Sequence, residues 1–113
     1  MIIRHNLPNQ KFTKLDRRVF ANASISDGAV RLYGYMCGLR NGANFSDAYI
    51  KKTLNISQAV LYRRKTELKN ADLLLIDQVS PRLYIAYIGY TGFGARQVKN
   101  LWKDEEDLSS IPD

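Results

Sequence analysis

A single cysteine, Cys37, excludes an internal disulfide, and a single histidine, His5, leaves too few soft ligands for a structural zinc site. Neither can complete a Cys/His or Ser/His/Asp catalytic set, because His5 falls in a polar N-terminal stretch expected to be a loose arm. The chain also lacks a phosphate loop. The spaced glycines of YTGFGARQ, residues 90–97, end without Lys-Ser/Thr and follow a hairpin pattern, so they read as a hinge. No apolar run approaches the roughly 20 residues of a bilayer span, and MIIRHNLPNQKF has no apolar signal core. These absences point to a cytoplasmic protein without membrane contact that is not an enzyme and carries no metal or cofactor. Cys37, set mid-helix among apolar residues, is expected to be a buried structural thiol.

Acidic charge is scarce through most of the chain. Residues 1–102 carry 16 Lys/Arg against 6 Asp/Glu, a net +10, whereas KDEEDLSSIPD at the end has one lysine against five acids, a net −4. A strongly basic body with a short acidic tail suits a polyanionic partner, of which nucleic acid is the commonest. The 113 residues, 45% hydrophobic and 25% charged, are enough for one modest core.

Residues 1–11 are polar, carry Pro8, and are expected to form a flexible arm. FTKLDRRVF, residues 12–20, suits a short strand or helical turn with Lys14, Arg17 and Arg18 outward. Ser26 can cap a helix whose first turn holds Asp27, and Ala29, Leu32, Tyr33, Met36 and Leu39 recur on its inner face before Asn41-Gly42 stops it. Ser46 caps a second, shorter helix that holds Asp47, Ala48, Tyr49, Ile50 and Leu54. Asn55 tolerates the left-handed backbone of a tight turn, Ile56 plugs the corner, and Ser57 caps a third helix over 58–70. Its inward residues are Leu61, Leu68 and part of Val60. Its outward residues are Gln58, Ala59, Tyr62, Arg63, Thr66 and Lys69. A hairpin follows over 73–88, with its tip near Val79–Arg82, and an amphipathic stretch, 95–108, carries Val98, Leu101, Trp102 and Leu108 on one side.

Two helices joined by a tight turn, the second of them basic and followed by a hairpin, have the layout of a winged helix-turn-helix. LNISQAVLYRRKTEL resembles that family's pattern of Leu-Gly-Val-Ser, two variable residues, Thr-Val, one variable, Arg, and Leu five residues on. Leu54, Ile56, Ser57, Arg63 and Leu68 match, and Val60-Leu61 take the Thr-Val places. SISDGAVRLYGYMCGLRNGANFS is similar to the first helix of winged-helix proteins of phages, plasmids and other mobile elements, and ELKNADLLLID looks like their exit into the wing. Asn55 and Asp72 stand where the family has glycine. Lys51 and Lys65 stand where it has small or apolar residues. They either loosen the helix–helix approach or run along their alkyl stems to solvent.

The resemblance implies a mainly α fold with a small β-hairpin (α+β), in which a winged-helix domain spans 12–90 and a C-terminal helix and acidic tail span 91–113. It also implies that helix 58–70 reads the major groove of double-stranded DNA. Gln58, Ala59, Tyr62, Arg63 and Thr66 are then candidates for base contact, with Gln suited to adenine and Arg to guanine. Ser46, Lys51, Ser57, Arg64, Lys69 and Arg82 are candidates for the DNA backbone, with Lys14, Arg17 and Arg18 extending the footprint. Val98, Leu101 and Trp102 either form a homodimer seam or close the chain's own core. The expected function is sequence-specific DNA binding by a transcriptional regulator of a phage or plasmid. The alternatives are a replication-initiation or partition factor, and an adaptor whose acidic tail binds a host polymerase or replication protein.

Overall fold

The computed structural model describes residues 1–4 and 17–109, with side chains as far as Asp104. Its elements run β1 (Ile2–Arg4), α1 (Arg17–Phe20), α2 (Asp27–Cys37), α3 (Asp47–Leu54), α4 (Gln58–Asn70), β2 (Leu74–Ser80), β3 (Leu83–Ile88) and α5 (Ala95–Ser109). The chain is an α+β protein with a three-stranded sheet ordered β1-β3-β2. Among the described residues no helix is long and apolar enough to cross a membrane.

Serine caps start the three central helices. Ser26, Ser46 and Ser57 each have extended backbone and accept from the amide three residues on, at Ala29, Tyr49 and Val60, satisfying donors a helix leaves open. Asn55 ends α3 in the left-handed region, φ 55°, and the Ile56 amide closes the turn on the Lys51 carbonyl. The exit from α4 is a Schellman motif: Leu73 N donates to Leu68 O and Asp72 N to Lys69 O, with Asp72 at φ 58°.

Asp72 has a second task, for part of which glycine has no side chain. Its carbonyl accepts from Ala95 N at 2.7 Å and its Oδ1 accepts from Arg96 N at 3.3 Å, so it also caps α5. Asp72→Ala removes both the cap and a side chain that tolerates this backbone, and should cost about 1–2 kcal/mol in urea unfolding. Asp72→Gly restores the backbone freedom but not the cap, and should cost less.

The sheet divides two cores. Leu74, Ala86 and Ile88 face α2, α3 and α4, where Ala29, Leu32, Tyr33, Met36, Cys37, Ile50, Leu61 and Leu68 are buried. The one deep hydroxyl there, on Tyr33, donates to Gly89 O at 2.7 Å, as a buried polar group must. On the opposite face Ile85 and Tyr87 meet Ala95 and Val98, with Leu75, Phe93 and Trp102 at the rim. Val98 is therefore spent on the chain's own sheet and cannot serve as a free dimer seam. Trp102 is half-buried at the rim of the same core, with the Arg4 guanidinium 4.8 Å from its ring centroid. Leu101 and Trp102, both half-buried, keep part of the expected seam open. The side chain of Leu108 lies outside the described residues, and α5 is part of the folded body rather than an appendage to 12–90.

The loose arm expected over 1–11 is also corrected, for its first four residues. β1 runs parallel to β3 with Ile2 opposite Ile85 and Arg4 opposite Tyr87. Its other edge is closed by the α2–α3 loop, through Ile3 N to Ala43 O and Gly42 N to Ile3 O. Ile3 is fully buried. Three consecutive residues too few to signal a strand by alternation gain one because both edges are paired.

Candidate functional site

The surface of α4 is sorted by its neighbours. Leu61, Lys65 and Leu68 point inward, while Val60, Arg64 and Glu67 are half-buried on the flank toward α2. Gln58, Ala59, Tyr62, Arg63 and Lys69 are exposed on the remaining face, with half-buried Thr66 among them. Tyr62 is 68% exposed. This is the outward set read from the sequence. Its only reduced member is Thr66, whose hydroxyl donates back to Tyr62 O at 2.9 Å and so offers lone pairs but no proton outward.

The three consecutive cations 63–65 go to three places, because successive helical residues are separated by about 100°. Arg63 stays outward. Arg64, expected at the DNA backbone, does not join it on the outer face. Its side chain lies over Gly28 in the first turn of α2, where an added Cβ would collide with the guanidinium, and its Nη1 is buried without a hydrogen-bond partner. Lys65 does not reach solvent along its stem. Its side chain is 10% exposed and Nζ meets Asp47 Oδ1 at 2.5 Å, joining α4 to the first turn of α3.

Glu67 completes the grip of α4 on α2. Its carboxylate accepts from Ser26 Oγ at 2.7 Å and from Ser26 N at 3.0 Å. The Ser26 hydroxyl and then its amide hold the Glu67 pKa below the usual carboxylate range, aided by Arg63 and Arg64 and opposed by desolvation. A depressed pKa means stability that is present above the ordinary carboxylate range and lost as pH falls through the folded value. Glu67→Gln should therefore lower the urea midpoint at neutral pH, and its deficit against the parent should shrink as pH falls below the ordinary carboxylate range and through the folded value.

Around this face, Ser46 and Ser57 are exposed caps, Lys51 is half-buried and Lys52 is exposed. Arg82 stands exposed in the β2–β3 turn. A groove of about 430 Å³ lies between the start of α3, α4 and the hairpin, lined by Phe45, Ser46, Asp47, Lys65, Ile76 and Tyr84. Tyr84 was missed by sequence reasoning, although strand alternation places it on the sheet face of Ala86 and Ile88. Lys52 was missed too, and helical spacing from buried Ile50 and Leu54 places it outward.

Arg17 and Arg18 are exposed on α1 as expected, but they do not adjoin the hairpin tip. Arg18 donates to Thr91 O at 2.7 Å, just past the C-terminal end of β3, whereas Arg82 precedes its start. The two positions are separated by the length of a six-residue strand, about 20 Å. Lys14 lies outside the described residues. No group of three His/Cys/Asp/Glu side chains that could hold a metal occurs among the described residues. No family model, curated protein or solved structure matches the chain.

Proposed function

We propose that the chain is a winged helix-turn-helix protein that binds double-stranded DNA sequence-specifically, as a transcriptional regulator of a phage or plasmid in the cytoplasm. The observation that carries this reading is the outward face of α4. It offers Gln58, Ala59, Tyr62, Arg63, Thr66 and Lys69 together, and the one acid of the helix, Glu67, is turned away to cap α2. A helix with side chains able to read base edges, cations able to meet phosphate and no carboxylate to repel it suits the major groove.

In this reading Gln58, Arg63 and Tyr62 meet bases, and Ala59 permits close approach. Ser46, Ser57, Lys51, Lys52 and Lys69 hold the flanking backbone, and the β2–β3 hairpin is the wing, with Arg82 on phosphate. Arg64 and Lys65 have no direct role and instead hold the helix in place. No catalytic step is involved.

Replication initiation or partition would use the same face, and only the sequence selected would separate them. The net −4 of residues 103–113 supports an adaptor reading as the alternative. Selection of bound sequences from random duplex DNA at near-physiological salt, followed by a salt titration on the enriched sequence, decides the matter. A shared motif with a steep salt slope is the expected result. Weak binding only at low salt, without a motif, would overturn the reading in favour of the adaptor.

A further inference from the structure

The end of the β2–β3 hairpin is an apolar surface that the fold itself does not use. All residues from Gln78 to Tyr84 are exposed, so the last part of the ribbon stands clear of both cores. Val79 is 55% exposed and Leu83 36%. The register slips between Gln78 and Ser80, and the irregularity falls at Val79. A bulge of this kind re-aims a side chain and tightens the local twist. Ser80 faces Leu83, and only Pro81 and Arg82 lie between them. The tip therefore presents Val79, Pro81 and Leu83 around one cation, and the segment holds no acid. The nearest acid along the chain, Asp77, is paired with Lys99 at 3.5 Å.

Single exposed apolar residues are ordinary on a surface, but three within five positions at the free end of a ribbon are not. We propose that this tip is a wedge: Leu83 and Val79, with Pro81, insert at a base step in the minor groove and bend the duplex. The inference rests on the DNA-binding reading above and goes beyond it, because a wing that only grips phosphate needs Arg82 and no apolar neighbours. Pro, Leu and similar side chains partly unstack base steps from the minor groove and kink the duplex by about 20–90°. Pro81 brings no N–H to be left without a partner in the stack. Arg82 supplies the positive charge that draws the tip to a groove lined by phosphates, and residues 78–84 carry no acid to oppose it. Flexible pyrimidine–purine steps are the ones that yield most easily.

The test uses the full chain and a duplex of about 30 base pairs carrying the enriched sequence, labelled at both ends for energy transfer. The parent protein should raise the transfer efficiency. The Val79→Ser/Leu83→Ser variant should bind within about tenfold of the parent, because lost contacts and spared unstacking offset each other, while the bend disappears. Arg82→Ala should weaken binding and lower the salt slope by about one while keeping the bend. Both substitutions are at exposed positions, and circular dichroism of the free proteins confirms that they remain folded. An unbent parent complex, or equal bending by the double serine variant, overturns the wedge while leaving DNA binding intact. A parent dimer in sedimentation that the serine variant loses would assign the tip to a second copy instead. Failure of the parent to bind any duplex would overturn the wedge together with the reading on which it rests.

Discussion

Arg63→Ala is expected to lower affinity for the selected DNA by about 1–3 kcal/mol and to relax the preference at one base pair. Arg63 is the exposed cation of the three at 63–65, and a guanidinium makes a bidentate pair with guanine that no other base reproduces. The neighbouring substitution is the control. Arg64→Ala removes a side chain packed over Gly28, so its effect should fall on unfolding and leave base preference unchanged. Lys69→Ala should weaken all sequences alike and flatten the salt slope by about one unit, the signature of a phosphate contact. Measuring all three against the enriched sequence and its single-base variants separates the roles. If Arg63→Ala leaves affinity and preference untouched, α4 does not face the groove as proposed.

The contrasting placements of these adjacent arginines show which parts of the candidate site were legible in sequence. The helices were, because serine caps and apolar spacing are local signals, and they place the outward face of α4 without knowledge of its neighbours. The hairpin and its tip were legible from alternation and the Ser80-Pro81-Arg82 turn. What depends on distant partners was not. β1 is a strand only because Ala43 and Ala86 lie on either side of Ile3, 40 and 83 residues away. Arg64 turns aside because Gly28 has no side chain to exclude it, a clue present in the sequence but meaningful only once α2 is laid against α4. The exposure of Val79 depends on a slip in register that a repeating pattern cannot forecast. The fate of Val98 and Trp102 followed from the second face of a sheet whose third strand was not foreseen.

Asp47→Ala carries the other large expected effect, a loss of about 1–3 kcal/mol in stability. Removing one partner of a fully buried pair costs about 3–5 kcal/mol, but the Asp47 side chain is 39% exposed, so water moderates the loss. The substitution leaves the Lys65 ammonium almost enclosed, between α3 and α4, without its counter-charge. Lys65→Met should do much less harm, because the stem is replaced by a side chain of similar length and Asp47 can be hydrated from its exposed side. The double variant, Asp47→Ala with Lys65→Met, should recover most of what Asp47→Ala loses, since no charge then remains enclosed. Urea unfolding of the four proteins closes the cycle and isolates the pair from its parts. The same four proteins test what the pair does for the outer face of α4. Asp47 stands in the first turn of α3 and Lys65 in the middle of α4, so their contact sets how the two helices approach. If the pair orients the helix, the double variant regains stability yet binds the enriched DNA less tightly than the parent, whereas recovery of both together would reduce the pair to a neutralised charge.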